Sequence, residues 1–217
     1  MATATETHIL TLAQWLSPAY PIGAFAYSHG LEGAVDQAWV KDAASLEGWL
    51  ADVLNHGGGR SDALLIAAAM KAANDAELAK IDATARAFAA SKDRLLETSQ
   101  QGASFATVTR SVWGTGLSSY TYPVALGAAA ASAGLPIGLT QIMYLQAFAS
   151  NLIAAGQRLL PVGQTEGQAI LHRLTPRLPE IADDTVHGDV SRLNSTAFLG
   201  DIASMKHETQ YSRIFRT

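Results

Sequence analysis

The chain has 217 residues, 48% of them hydrophobic and 16% charged, with a formal net charge of -4. This length is enough to bury a core, the low charged fraction excludes a disordered charged chain, and the acidic balance argues against a nucleic-acid-binding protein. The absence of cysteine excludes a disulfide scaffold, cysteine-ligated zinc or iron–sulfur sites and a thiol nucleophile.

Helical periodicity dominates the sequence, and the alternation typical of strands is hard to find. Alanine, the best helix former, is the most frequent residue. From Leu46 to Leu54, apolar residues recur at the spacing of an amphipathic helix, which we expect the glycines at 57–59 to end. Further helices are expected over residues 61–70, 76–90, 92–110, 142–159, 164–174 and 177–185.

A stretch of 47 residues, 111–157, contains no Asp, Glu, Lys, Arg or His. One interpretation is a membrane hairpin, since a span needs about 20 mostly apolar residues. Prolines, glycines and amide side chains interrupt the candidate spans, which favours a pair of central helices buried in the bundle and against a partner chain. The helical pattern therefore predicts an all-α, single-domain bundle over residues 1–186.

The last part of the chain, residues 187–217, mixes charges with single apolar residues. Short polar termini of this kind are often ordered only by a partner, so we expect a C-terminal docking tail. The first 25 residues contain no Lys or Arg, so no signal peptide is expected, and the absence of cysteine suits a cytoplasmic location.

Common catalytic and cofactor motifs are missing from the sequence. It contains neither a phosphate-binding G-x-x-x-x-G-K-[ST] loop nor a dinucleotide-binding G-x-G-x-x-G, and Tyr211 replaces the second histidine of an H-E-x-x-H zinc motif. The six histidines show no helical ligand spacing, although a transient metal site assembled across a dimer axis stays open. An all-α enzyme using Ser28–His29 or Glu97 is an alternative for which no catalytic partner can be named.

The segment 17–32, SPAYPIGAFAYSHGLE, contains prolines and glycines that predict a turn between helices. Phe25, Tyr27 and His29 cluster at this turn, as residues of protein interfaces often do. Four later segments carry further distinctive patterns, at residues 97–102 (ETSQQG), 122–127 (YPVALG), 158–168 (RLLPVGQTEGQ) and 207–217 (HETQYSRIFRT).

Taken together and in order, these five segments resemble the UreF family of urease accessory proteins. The departures are conservative: Val162 and Ile214 stand where leucine is usual, and Thr217 stands where serine is usual. The resemblance implies an all-α homodimer that works with UreD (UreH in some species) and UreG on apo-urease. It implies an adaptor that bridges UreD and UreG and supports GTP-dependent nickel insertion, and that is not itself an enzyme.

We therefore expect partner-interface residues in two groups and no tightly bound cofactor, with nickel handled only transiently by the complex. The resemblance implies that both groups face UreG or UreD, and for the second group, in the C-terminal tail, we expect UreD. Arg213 is expected to order the interface rather than to act on GTP. A small membrane-associated scaffold built on residues 111–157 is the other alternative. The first group comprises Phe25, Tyr27, His29 and Glu32, and the second comprises Met205, Tyr211, Arg213 and Phe215.

Overall fold

Residues 4–217, described by a computed structural model, form eleven α-helices and two short 3-10 helices, with no β-strand among them. The predicted all-α class is confirmed. The α-helices are α1 (Glu6–Trp15), α2 (Leu31–Asp36), α3 (Ala43–His56), α4 (Gly58–Lys71), α5 (Asp75–Phe88), α6 (Lys92–Trp113), α7 (Tyr122–Ser132), α8 (Ile137–Leu159), α9 (Gln164–Leu174), α10 (Arg177–Thr185) and α11 (Phe198–His207). The 3-10 helices span Ala24–Ala26 and Val190–Arg192.

Helix α4 forms the centre of the bundle and packs against α3, α7, α8 and α10. Ten of its fourteen residues are buried. Helix α7 lies very close to it because residue 127 is glycine: a Cβ there would lie 2.6 Å from the carbonyl oxygen of Ile66. The uncharged stretch thus supplies α7 and most of α8 to the core. In residues 4–217, no helix is both long and apolar enough to cross a membrane.

The amphipathic stripe from Leu46 to Leu54 is buried on α3, as its spacing predicts. This helix begins at a capping box in which Asp42 and Ser45 satisfy each other's backbone N–H groups. Helix α3 ends at His56, directly before the glycines, as predicted, but α4 already begins at Gly58 rather than near Ser61. Gly59 serves packing, since a Cβ there would lie 2.9 Å from the Cα of Leu54.

The C-terminal segment, residues 187–217, packs on the rest of the same chain. Helix α11 lies against α2 and α6. His207, Phe215 and Thr217 are buried there. In this chain α2 and α6 supply the segment with an apolar and hydrogen-bonding surface, and its docking on a partner stays a prediction.

Candidate functional site

The N-terminal turn, residues 17–30, is held in an unusual backbone conformation. Gly23 and Gly30 have φ values of 72° and 80°, which glycine adopts readily. His29 has a φ of 55°, in the left-handed region that a residue with a side chain seldom occupies. Since such strain persists only where its surroundings enforce it, the turn is fixed by the contacts around it.

Helix α8 supplies the first of these contacts. The Arg158 guanidinium donates a 2.8 Å hydrogen bond to the carbonyl oxygen of Phe25, and the Asn151 amide donates one of 3.1 Å to that of Ala24. Arg158 also lies over the ring of Phe215, 4.2 Å from its centroid. One arginine thereby joins the end of α8 to both the turn and the C-terminal segment.

Helices α2 and α11 approach each other closely through two glycines. A Cβ on Gly33 would lie 2.5 Å from the carbonyl oxygen of Ala203. A Cβ on Gly30 would lie 3.0 Å from the backbone nitrogen of Ser204. The glycines of the SHGLEG sequence thus permit a backbone contact that larger residues would prevent.

The Glu32 carboxylate connects α2 to the chain after α11. It accepts hydrogen bonds from the backbone N–H groups of Ile214 and Phe215, at 2.7 and 2.9 Å, and faces Nε2 of His207 at 3.1 Å. Glu32 is only 5% exposed to solvent. Hydrogen bonds to a charged acceptor are among the stronger ones in proteins, so Glu32 anchors the end of the chain.

The His207 ring lies between two carboxylates and is fully buried. Its Nδ1 is 2.7 Å from Oδ2 of Asp93 on α6, and its Nε2 faces Glu32. Arg213 approaches the same Asp93 oxygen at 3.6 Å. His207, the first residue of the incomplete H-E-x-x-H motif in the sequence, is therefore buried between α2 and α6.

The last residues close over the turn through paired polar contacts. The backbone N–H and the hydroxyl of Ser28 both donate to the carbonyl oxygen of Thr217, at 2.9 and 2.8 Å. The Arg216 N–H donates to the carbonyl oxygen of Ala26 at 2.9 Å, and the Thr217 hydroxyl donates to Glu97 at 3.0 Å. The turn and the C-terminal residues consequently form one structural unit.

A buried charged cluster lies beneath this unit. Arg94 contacts Glu97 at 2.7 Å, and Tyr144 donates a 2.6 Å hydrogen bond to Asp62 on α4. Nδ1 of His29 is 3.9 Å from Glu97 and has no hydrogen-bond partner. The cluster brings side chains from α4, α6 and α8 together below the turn.

Burial and neighbouring charges shift the pKa values of the cluster's members in different directions. Burial opposes ionisation of Glu97, but the charge of Arg94, 2.7 Å away, outweighs it and lowers the pKa of Glu97 from 4.5 to about 2. Burial lowers the pKa of His29, and the Arg94 guanidinium lowers it further, so its ring is neutral at pH 7. Burial raises the pKa of Asp62.

The sequence-predicted interface residues divide into two kinds. Phe25 is 72% exposed, and Met205, Tyr211 and Arg213 are also exposed. The other four are buried and support the surface from beneath: Tyr27, whose hydroxyl donates to Gln100 at 2.6 Å, together with His29, Glu32 and Phe215. Their partners are residues of this chain that lie far away in sequence, which a local motif does not reveal.

Sequence reasoning missed several members of the site, above all Asp62, Asp93 and Arg94. Each is a charged residue of a type that usually lies at the surface. Asp62 lies between Ser61 and the apolar residues 63–70, where the local sequence gives no signal that its side chain is buried. Asp93 and Arg94 precede Glu97 by about one helical turn, which places them near the same face of α6.

Exposed apolar side chains concentrate beside this unit. Residues 4–217 contain eleven exposed large hydrophobic side chains, and six of them lie in residues 198–214. We call these six the tail face: Phe198, Leu199, Ile202, Met205, Tyr211 and Ile214. A concentration of exposed apolar side chains of this kind is typical of a protein-binding site. Within the described part of the chain, no group of three or more His, Asp or Glu side chains is arranged to hold a metal ion.

Comparison with known proteins agrees with the order of motifs in the sequence. A family model described as UreF matches residues 40–175. The chain is 56% identical over 217 residues to the urease accessory protein UreF of Ruegeria pomeroyi, covering all of both chains. It is 55% identical over 213 residues to that of Ruegeria sp. strain TM1040, covering 98% of this chain and all of the relative.

A third relative, the urease accessory protein UreF of Roseobacter denitrificans, is 49% identical over 208 residues, covering 96% of this chain and 93% of the relative. The matches to relatives extend over nearly the whole sequence, including the turn and most or all of the C-terminal segment. Sequence identity of 49–56% over nearly the whole chain shows which family it belongs to. The chain belongs to the UreF family of urease accessory proteins.

Proposed function

We propose that this chain is a non-enzymatic adaptor that bridges UreD and UreG and supports GTP-dependent nickel insertion into apo-urease. Membership of the UreF family supports a role in urease maturation. The observation that carries the finer proposal is the joining of the N-terminal turn and the C-terminal segment into one unit, bordered by the tail face. An adaptor requires preformed surfaces, and this unit supplies one.

The tail face is proposed to bind UreD. Its apolar side chains lie on α11 and the ten residues after it, and the buried contacts of Glu32 and His207 fix that segment in place. A prearranged surface loses less conformational entropy on binding than a disordered tail does. Phe25, on the turn side of the unit, is proposed to contact UreG or UreD as a second anchor.

Nickel is proposed to pass through the assembled complex as cargo, without a tight site on this chain alone. GTP hydrolysis is assigned to UreG, and Arg213 is proposed to order the interface through its contact with Asp93. We further propose that the protein works in the cytoplasm and forms a homodimer. The uncharged stretch supplies partly buried α8 side chains, such as Phe148, that a second copy could cover.

The first test is urease activity and nickel content in cells that co-express the apo-urease subunits, UreD and UreG, with or without this chain. Nickel-loaded, active urease only in the presence of the chain is the expected result. No difference, with the chain present and folded, would refute the maturation role.

A matched pair of variants tests the tail face itself. Tyr211→Asp places a carboxylate on a fully exposed tail-face residue, and we expect it to abolish co-purification with UreD and urease activation. Val112→Asp is the control, because Val112 is 62% exposed but lies near the opposite end of the 22-residue α6 from the contacts with the tail. Equal UreD binding by both variants and the unmodified chain would refute the assignment of this face.

A further inference from the structure

We propose that a cavity behind the N-terminal turn binds a small, uncharged organic molecule with an apolar body and one amide or hydroxyl group. The cavity has a volume of about 410 Å³ and lies between the turn and helices α6, α7 and α8. Binding sites for small molecules usually measure about 300–1,000 Å³. A second cavity, at the N-terminus of α4, measures only about 70 Å³ and suits a few water molecules.

Much of the cavity wall is apolar. Ile22 from the turn and Leu152 from α8 contribute aliphatic surface. Tyr144 and Phe148, one helical turn apart on α8, contribute stacked rings whose centroids lie 6.1 Å apart at an interplanar angle of 15°. Such a wall favours removal of an apolar body from water, and its rings can also stack on or meet the edge of an aromatic one. The wall therefore suits a ligand with an apolar, preferably aromatic, body.

Two buried polar side chains line the cavity. Gln101 on α6 is 7% exposed, and Tyr122 at the start of α7 is 6% exposed. Within residues 4–217, the Gln101 amide and the Tyr122 hydroxyl form no hydrogen bond, and only the backbone N–H of Tyr122 does so. Burial raises the pKa of Tyr122, so its hydroxyl keeps its proton. Because an amide and a hydroxyl each donate and accept, these two side chains suit a ligand group that does the same.

The charged side chains of the cavity select against a charged ligand. Arg94 and Glu97 both line it and contact each other at 2.7 Å. A carboxylate in the cavity would meet Glu97, and an ammonium group would meet Arg94. Either ion would lose its hydration in a site whose own charges are already paired, which is costly. An uncharged ligand avoids this cost.

The bound molecule would lie directly behind the exposed part of the turn. Ala24 and Phe25 line the cavity, as does Asn151, whose amide donates to the carbonyl oxygen of Ala24. A ligand in the cavity would therefore contact the turn from its inner side. The inference concerns the fold of this chain alone and does not depend on the proposed adaptor function.

Three probes of similar shape and different charge test the proposal: benzamide, benzoate and benzamidine. NMR titration of the unmodified chain is expected to show benzamide binding with a Kd of about 1 mM, as befits so small a probe. The side-chain amide signals of Gln101 and Asn151 should shift. Benzoate and benzamidine should bind about tenfold more weakly. Equal affinity for the three probes, no binding of benzamide, or shifts confined to other parts of the chain would overturn the proposal.

Variants provide the matched comparison. Gln101→Leu keeps the approximate size of the side chain but removes its polar atoms, so benzamide binding should weaken about tenfold with an unchanged circular dichroism signal. Gln168→Leu makes the same change at an exposed position of α9 and should bind benzamide like the unmodified chain. Ala147→Trp places a ring in the cavity and should abolish the shifts. Equal benzamide affinity in the two leucine variants would contradict the assigned site.

Discussion

Replacing Gly33 or Gly48 with alanine should change stability in opposite directions, although both glycines lie inside helices. Gly48 is exposed on α3, and a Cβ there would meet nothing within 4 Å. Alanine is favoured over glycine in a helix by about 1 kcal/mol, so Gly48→Ala should raise the free energy of unfolding by about that amount. Gly33 gains the same helix preference but faces the backbone of α11.

The cost at Gly33 follows from its distance to that backbone. A Cβ there would lie 2.5 Å from the Ala203 carbonyl oxygen, whereas a tolerated carbon–oxygen contact is about 3.3 Å. Helix α11 must therefore retreat by about 0.8 Å. Overpacking of this kind costs about 1–3 kcal/mol, and the retreat also lengthens the contact between Glu32 and His207. With a cost of about 2 kcal/mol and a helix gain of about 1 kcal/mol, we expect Gly33→Ala to lower the free energy of unfolding by about 1 kcal/mol.

Urea unfolding followed by circular dichroism measures both variants on one scale, and hydrogen exchange locates the change. The two free energies should differ by about 2 kcal/mol, the cost of the close contact at Gly33, and only Gly33→Ala should accelerate exchange in residues 198–217. Equal stabilisation by the two substitutions would show that α11 does not pack against α2 at this distance, and would refute the reasoning.

Three further outcomes concern the buried polar groups. Folding lowers the pKa of Glu97 from 4.5 to about 2, so the unmodified chain should lose about 3 kcal/mol of stability between pH 5 and pH 2. Urea unfolding of Glu97→Gln should show a smaller loss over the same pH range. An equal loss in both proteins would contradict this assignment. Burial raises the pKa of Asp62, so its ionisation costs stability as the pH rises. The stability of Asp62→Asn relative to the unmodified chain should therefore improve from pH 4 to pH 8, and a constant difference would count against it. Tyr27→Phe removes the hydrogen bond to Gln100 and should cost about 1 kcal/mol in urea unfolding, with no change in the helical circular dichroism signal; an unaltered midpoint would show that the bond contributes nothing net.

Periodic helices were predictable from the sequence, and single contacts between distant segments were not. The stripe on α3 and the predicted segments 164–174 and 177–185 agree with the structure, because their spacing or their flanking breaker residues set their limits locally. The glycines at 57–59 end α3 as predicted, but the start of α4 was placed three residues too late, since the same residue type ends helices and permits close packing. Only the position of Leu54 across from Gly59 distinguishes the two roles.

The candidate site was predicted in outline but not in its internal arrangement. The sequence indicated both the turn and the C-terminal segment. It did not indicate that they bind each other, because the partners of Glu32 lie more than 170 positions away. Burial of Tyr27 and Phe215 follows from this pairing, as does the position of the His207 ring between the carboxylates of Glu32 and Asp93.

The closure of the turn by the chain's last residues has a consequence for synthesis. The hydrogen bond from Ser28 to Thr217 spans 189 positions, so the turn cannot take its final form until residue 217 has been synthesised. At about 5–20 residues per second, a ribosome needs roughly ten seconds or more to synthesise the residues from Ser28 to Thr217. A prematurely terminated chain can build most of the helical core yet never complete this unit. Partner binding that needs the completed unit would therefore report that synthesis has reached residue 217.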